Sequence, residues 1–330
     1  MPYCLFLADG RIAQEDKVTM LETEPIGSIP RPPALIDGMA AFAHGEITQE
    51  QMDELYDDAL RDTIDRFEST GSPVVTDGEQ TKSSFVTYPL DGLDTIGPGG
   101  AVIPFADGHT RQLPQLTSGP FRYGRYADAF LTRAQGLTSL QLKQSVIAVS
   151  AMSLLYPADG VDGYDKEQFL SDLVAEGVKD IRGCLDAGAH RVQIDFTEGR
   201  LALKLDPSGG LLPHLFAINA GSFFLQMASE ADREKVLGTV RDTLAANVPA
   251  NVKVFVGVTD PISPRVETPE EVRDQILQAA EHIPVDQLGS CDDCGFSPFG
   301  DDVSTSRDIA FEKIRNRVEG TRLASESLGV

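Results

Sequence analysis

The chain has 330 residues, enough for one large domain or two ordinary ones, with 41% hydrophobic residues and a formal net charge of −23. This acidity opposes nucleic-acid and anionic-membrane partners, which need a basic surface, and no apolar run is long enough to cross a membrane. Four cysteines in no regular framework, and a start without signal-peptide features, predict a protein of the reducing cytoplasm.

The N-terminal third is predicted to hold an arm, a loop and a helix. Residues 1–22 show no periodicity and are predicted to be an N-terminal arm, followed by a single domain over residues 23–330. Gly27 and Ser28 end a short extended run; their N–H groups and hydroxyl suit a small anion, although Gly-Ser before Pro is also common in loops. A helix is predicted over residues 48–69, with Thr48 as its N-cap.

A buried type of strand over residues 71–80 ends at Asp77 and Glu79. Open sheets and barrels place active sites at the carboxyl ends of their strands, so these acids are candidates for a site. Residues 81–135 are rich in Gly, Pro, Tyr and Thr and show no helical period. Their length predicts a functional excursion, such as a hairpin or a covering loop.

From residue 143 onward, strands and helices alternate, which predicts an α/β fold with parallel strands. Strand starts are predicted near residues 24, 73, 144, 190, 222, 252 and 286, and later helices over residues 166–187, 232–246, 269–282 and 306–325. These seven units are one short of a TIM-type (β/α)8 barrel, so we expect an incomplete barrel. The missing unit would fall in the irregular segment 205–214.

The last predicted strand leads into a C-x-x-C motif made of Cys291 and Cys294. This spacing can bring two sulfurs to one metal ion or form a redox pair, but it also occurs as two small buried side chains in a loop. Two thiolates cannot complete a tetrahedral zinc site, so other ligands would have to converge there.

Five short motifs occur in an order that resembles a known family. They are Ile26-Gly-Ser-Ile-Pro30, Thr76-Asp-Gly-Glu79, Val192-Gln-Ile-Asp195, Val256-Gly-Val-Thr-Asp260 and Asp293-Cys-Gly-Phe296. Together they resemble the catalytic barrel of cobalamin-independent methionine synthase and of single-barrel relatives such as epoxyalkane–coenzyme M transferase. The resemblance covers about residues 23–325.

The resemblance implies a (β/α)8 barrel that transfers a methyl or other alkyl group to a small thiol such as homocysteine. It further implies a folate methyl donor and a zinc ion that binds the thiol as thiolate. By position, Ser28 with Gly27, and the catalytic-site residues Glu79 and Asp195, would hold the amino-acid part of homocysteine.

The resemblance also implies metal ligands. Cys294 matches the last zinc-ligand cysteine, Glu230 lies near the place of a zinc-ligating glutamate, and Cys291 could act as a replacement thiolate. The family's His-x-Cys pair, which supplies two further zinc ligands, occurs nowhere in this sequence. That pair would belong to the missing unit, where His214 is the one histidine at the gap.

Three interpretations follow. The chain is a zinc-dependent methyltransferase with His214 or water as a fourth ligand; or a zinc-free, divergent protein that binds a small amino acid or thiol; or a non-catalytic relative. In the last case an open barrel would expose strand edges that a complete barrel or a second copy of this chain could cover.

Overall fold

A computed structural model of the chain describes residues 3–7, 20–104, 110–196, 216, 218–247, 249–297 and 305–330. The irregular segment 205–214, including His214, lies outside the described residues. None of the described helices is both long and apolar enough to span a membrane.

The strands and helices alternate along most of the described chain. The strands are β1 Tyr3–Leu7, β2 Glu22–Glu24, β3 Val74–Val75, β4 Ile96–Gly97, β5 Val102–Pro104, β6 Thr110–Gln112, β7 Gln115–Leu116, β8 Gln141–Ile147, β9 Arg191–Phe196, β10 Ser222–Leu225, β11 Lys253–Thr259 and β12 Leu288–Asp292. The α-helices are α1 Pro33–Ala43, α2 Gln49–Ser69, α3 Asp128–Gln135, α4 Val149–Met152, α5 Lys166–Asp186, α6 Arg233–Asn247, α7 Pro269–Ala280 and α8 Arg307–Leu328. The α/β class predicted from the sequence is confirmed.

Eight strands form the main sheet in the order β2-β12-β11-β10-β1-β9-β8-β3. Parallel pairing is described for β2 with β12, β12 with β11, β11 with β10, β9 with β8 and β8 with β3. The strand β1 lies between β9 and β10 and is antiparallel to both. The N-terminal strand therefore lies between the two strands that flank, in the sequence, the segment where the missing β/α unit is predicted.

The N-terminal arm expected over residues 1–22 thus supplies a strand to the main sheet. In residues 3–7 the sequence reads Tyr-Cys-Leu-Phe-Leu, a continuous apolar run rather than an alternating one. Such runs are typical of strands covered on both faces, and they lack the alternation that identifies a half-buried strand in a sequence. The division into an arm and a single domain over residues 23–330 stays a prediction.

The first and last strands of that order lie side by side, so the sheet curves back on itself. Immediately after β2 and β3, the Thr76 hydroxyl donates to the Gly27 carbonyl at 2.8 Å, and the Ile29 N–H donates to the Gly78 carbonyl at 3.0 Å. The carboxyl ends of β2 and β3 are consequently held at the same edge of the sheet.

Helix positions follow from end signals in the sequence. The side chains of Thr48, Asp165 and Thr268 cap α2, α5 and α7, and the backbone N–H of each capping residue donates in return to the side chain of the third helical residue. The N-cap predicted at Thr48 is confirmed. The helices cover the outer face of the sheet, where two large apolar clusters form the core.

The inner side of the sheet is partly polar. Its small apolar cluster consists of Ile26, Phe224, Phe255 and Cys291. Beside it the buried ammonium of Lys143 lies 3.4 Å from Glu24 and stacks over the Phe224 ring at 4.8 Å. Buried charges in the interior are paired here, as the cost of desolvation requires.

The excursion over residues 81–135 contains two small antiparallel pairs, β4 with β7 and β5 with β6, followed by α3. We expected a hairpin or covering loop in this stretch and did not predict α3, which is eight residues long. Residues 105–109 lie outside the described part of the chain.

Candidate functional site

Strand β9 brings Asp195 to the inner side of the sheet. Val192 and Ile194 pack with the outer core, so by the period of two the side chains of Gln193 and Asp195 face the interior. Asp195 is the penultimate residue of β9. It therefore lies at the carboxyl end of the strand, as predicted.

The turn after β3 brings Glu79 to the same edge. Glu79 adopts φ 56°, a left-handed conformation that costs a side-chain-bearing residue on the order of 1–2 kcal/mol. Its N–H donates to Asp77 Oδ1 at 2.9 Å, and buried Arg31 donates from one Nη2 to the carbonyls of Glu79 at 2.8 Å and Lys82 at 2.6 Å. The surrounding contacts hold the strained turn in place.

Lys82 and Ser145 fix the Glu79 carboxylate. Lys82 Nζ lies 3.1 Å from Glu79 Oε1, and the Ser145 hydroxyl donates to the same oxygen at 2.6 Å. Lys82 also donates to the Ser145 carbonyl at 2.9 Å. Burial lowers the pKa of Lys82, but the charges of Glu79, Asp77 and Asp195 outweigh it and leave this pKa above its usual value.

The carboxyl of Asp195 faces that of Glu79. Burial, then the charge of Glu79, raises the pKa of Asp195 to about 7, while Gln193, Lys82 and Lys143 oppose the rise. Near neutral pH this carboxyl consequently exchanges its proton readily, and an added cation between the two acids would favour the ionised form. An ammonium group meets that requirement.

Gly27 and Ser28 form the corner of the site next to β2. Gly27 has φ 145°, a conformation that side-chain-bearing residues rarely adopt. The Ser28 hydroxyl accepts from the Ser297 N–H at 3.3 Å, and the Ser28 carbonyl accepts from the Phe296 N–H at 3.0 Å. A Cβ at Gly295 would overlap the Ser28 hydroxyl, so the loop that carries Cys294 packs directly on Ser28.

The two cysteines of the C-x-x-C motif lie in different surroundings. Cys291 is fully buried in β12, and its thiol lies 3.7 Å from the Phe255 carbonyl, which accepts its hydrogen bond. Burial raises the pKa of Cys291 well above its usual value, which opposes the thiolate that a metal requires. Cys294 is half-buried in the loop that follows.

Asp293 joins two loops at this edge. Its carboxylate accepts from the N–H groups of Met227 and Ala228, both at 2.8 Å, and of Ser229 at 3.3 Å. Burial raises the pKa of Asp293 to about 6 although these amides lower it. Glu230 follows this loop, is half-buried, and accepts from the Asp232 N–H at 3.2 Å in a local turn.

The described residues do not bring the predicted metal ligands together. Among them, the one group of three His, Cys, Asp or Glu side chains with ligand atoms all within 4.8 Å is Glu234, Glu281 and His282. That group lies at the surface, where His282 Nε2 and Glu234 Oε2 are 2.7 Å apart. Cys291, Cys294 and Glu230 do not converge in this way.

Lys82, Ser145 and Gln193 were missed by the sequence reasoning. Gln193 stands two residues before Asp195, so the period of two within the strand would have placed both on one face. Lys82 gave no comparable signal, because its position depends on the left-handed turn at Glu79. Ser145 was included in a predicted strand without a role.

Comparison with known proteins gives the sequence resemblance independent support. No family model matches the chain. Methionine synthase from Saccharolobus solfataricus is 24% identical over 333 residues, 94% of this chain and 97% of the relative. Methionine synthase from Sulfurisphaera tokodaii is 23% identical over 343 residues, 95% of each chain. The chain is similar to these methionine synthases over nearly its whole length. The resemblance predicted from the five motifs is confirmed.

Solved structures show the same fold. A B12-independent methionine synthase from Shewanella sp. W3-18-1, in complex with selenomethionine, matches with a TM-score of 0.71 at 19% identity, over 94% of this chain and 99% of that one. A putative vitamin-B12-independent methionine synthase from Listeria monocytogenes matches with a TM-score of 0.66 at 18% identity, over 93% and 98%.

Proposed function

We propose that the protein is a methyltransferase of the methionine-synthase type, which transfers a methyl or other alkyl group to a small thiol such as homocysteine. The observation that carries this proposal is the meeting of Glu79 and Asp195 at one edge of the sheet. The similarity to methionine synthases over 94% of the chain supports the choice of reaction.

In this proposal Glu79 and Asp195 bind the ammonium group of the amino acid. Lys82 and Ser145 occupy Glu79 Oε1, which leaves Oε2 as the oxygen that faces the ligand. Asp195 takes the other side of the ammonium in its ionised form, and the cation lowers the electrostatic cost of placing two carboxylates together.

The Gly27–Ser28 corner binds the carboxylate of the same amino acid. The Ser28 hydroxyl accepts a bond from Ser297 N–H and so retains its own proton for donation to an anion. Opposite charges at the two ends of the site fix the orientation of the amino acid, and its thiol chain is directed away from both.

The described residues do not fit the zinc ion that the resemblance implies. Cys291 donates its thiol proton to a backbone carbonyl within an apolar cluster, and Glu230 accepts a bond in a local turn. Cys294 lies in the loop that packs on Ser28. Zinc is therefore not part of the proposed mechanism, and the folate methyl donor stays a prediction.

The proposal also includes the detailed architecture of the fold. We infer a (β/α)8-type barrel in which seven strands keep their places and β1, antiparallel to its neighbours, takes the eighth. Pairing with a second copy, the absence of nucleic-acid and membrane partners, and the cytoplasmic location stay predictions.

A second function is supported by the positions of Cys291 and Glu230. A zinc-free relative would keep the amino-acid site without the metal-activated thiol, and would bind a small amino acid or thiol either for a different reaction or without catalysis.

A turnover assay separates the two functions. Purified protein is incubated with L-homocysteine and 5-methyltetrahydrofolate, and methionine is quantified by mass spectrometry. The proposal expects methionine from the natural protein and a loss of at least about tenfold in Glu79→Gln, which removes one charged hydrogen-bond partner. Binding of homocysteine without turnover would overturn the proposed transferase and favour the zinc-free function.

A further inference from the structure

We propose that Gln193 is a positioning residue of the site, whose side-chain amide fixes the Asp195 carboxylate opposite Glu79 so that the pair can bind the ammonium of an amino acid. The inference rests on the proposed function. It adds a residue that acts through Asp195 rather than by touching the ligand.

The geometry of β9 carries the proposal. Gln193 and Asp195 are two residues apart in a regular strand, and Gln193 Nε2 donates to Asp195 Oδ1 at 2.5 Å. Gln193 is 1% exposed, so this amide cannot turn to water. Hydrogen bonds to a charged acceptor are roughly twice as strong as neutral ones, which makes the contact suited to holding a carboxylate.

The side-chain oxygen of Gln193 supports the same role for this residue. Its Oε1 is buried and accepts no hydrogen bond from the described residues. A buried acceptor without a donor costs stability, so a glutamine at this position needs a compensating contact. The bond to Asp195 is what the structure gains from a glutamine at this position.

Each of the two carboxyl groups accepts hydrogen bonds from neighbouring side chains. Lys82 and Ser145 fix Glu79, whereas Gln193 fixes Asp195. The charged groups that act on Asp195 are Glu79 and Lys82 from the turn after β3 and Lys143 from β8. Without the amide of Gln193, the charge of Glu79 and burial would act on Asp195 with less opposition, and Asp195 would hold its proton to higher pH.

The test uses Gln193→Leu, which keeps the volume and removes the donor. The matched control is Gln144→Leu, a change of another fully buried glutamine on the neighbouring β8. It removes a buried amide that bonds Asp77 and the Ser145 carbonyl rather than Asp195. In ligand-free protein the titration of Asp195 is followed by NMR of carboxyl-13C-labelled aspartate, with Asp195→Asn to assign the signal.

The proposal expects the Asp195 midpoint in Gln193→Leu to rise by about one to two pH units, since a hydrogen bond to a charged group has that worth. Gln144→Leu should leave the midpoint within a few tenths of a unit. An unchanged midpoint in Gln193→Leu, or equal shifts in both variants, would overturn the positioning role.

Calorimetric titration with L-homocysteine at pH 7 gives the second readout. The affinity should fall about tenfold in Gln193→Leu and recover as the pH is raised above the new midpoint. A purely structural role would lower affinity equally at every pH, which would contradict the proposal. If the natural protein binds no amino acid while the NMR midpoint still shifts, the proposed function fails and the positioning role stands.

Discussion

The carboxyl groups of Glu79 and Asp195 share a buried interior, where Lys82 lies at hydrogen-bond distance from Glu79. Like charges in such a space disfavour double ionisation. Burial and then the charge of Glu79 raise the pKa of Asp195 to about 7. An amino acid with an ammonium group relieves the repulsion, so the ionised pair is less stable in the ligand-free protein than in the complex.

The repulsion between the Glu79 and Asp195 carboxylates predicts that Asp195→Asn stabilises the ligand-free protein at alkaline pH. The pKa of Asp195 is raised to about 7, so the folded state binds this proton more tightly than the unfolded state, and stability is lost as pH rises from about 4 through 7. Asparagine cannot ionise. The variant should exceed the natural protein by on the order of 1–3 kcal/mol at pH 8, measured by urea unfolding.

The difference between Asp195→Asn and the natural protein should shrink as the pH falls toward 4.5, where Asp195 of the folded natural protein is protonated and therefore uncharged, like asparagine. Asp37→Asn, an exposed aspartate on α1, should show no such trend. A variant that is less stable than the natural protein at pH 8 would contradict the repulsion between Glu79 and Asp195.

The sequence predicted the members of the site better than their partners. Glu79, Asp195 and Ser28 were found because acids and small polar groups follow strands. The role of Lys82 depends on a glutamate in a left-handed conformation, and no local pattern predicts that a non-glycine residue adopts φ > 0. The position of Cys291 inside β12 could not be predicted, because C-x-x-C spacing does not show where the strand ends.

At the scale of elements, the loops after β10 and β12 are joined through Asp293. Three backbone N–H groups donate to its carboxylate, and Gly257 in β11 leaves the space that this carboxylate fills. The edge of the sheet that carries Cys294 is therefore braced by one buried acid.

Gly257→Ala should break this brace. The new Cβ would overlap Asp293 Oδ1, so the carboxylate must move and release its amides, and we expect a loss of about 2–4 kcal/mol in the free energy of unfolding. Thermal and urea unfolding measure it.

The control for Gly257→Ala is Gly238→Ala in α6, where nothing lies within 4 Å of a new Cβ. There alanine should stabilise the helix by about 0.5–1 kcal/mol. Equal effects of the two substitutions would show that Asp293 does not depend on the space at Gly257.

Element boundaries could be predicted where capping residues mark them. The helix expected over residues 166–187 is observed as Lys166–Asp186, and the helix expected over 269–282 as Pro269–Ala280. Helix α1 was missed because its prolines suggested an extended run, although proline is favourable in the first helical turn.

At the scale of the whole molecule, β1 connects β9 and β10 in the main sheet. Without β1, each of these two strands would have an unpaired edge. Strand β1 pairs with β9 over residues 3–7 and with β10 over residues 3–6. The sequence indicated that one parallel unit was missing, but strand pairing between distant segments depends on which edges remain open, and local sequence does not encode that.

Removal of residues 1–19 should therefore expose the facing edges of β9 and β10. We expect the truncated protein to unfold at a temperature at least about 5 °C lower, or to associate through the open edges, as seen by light scattering. A truncated protein with unchanged melting temperature and a monomeric scattering profile would show that β1 contributes nothing to the sheet.

The measurement that tests the account most directly is calorimetric titration of the protein with L-homocysteine and with 4-mercaptobutanoate, which lacks the amino group. The account predicts saturable binding of homocysteine, at least about tenfold weaker binding of the analogue, and a similar loss in Glu79→Gln but not in the exposed control Glu46→Gln. Equal affinity for both thiols, or homocysteine binding that survives Glu79→Gln unchanged, would contradict the assignment of Glu79 and Asp195 as an amino-acid site.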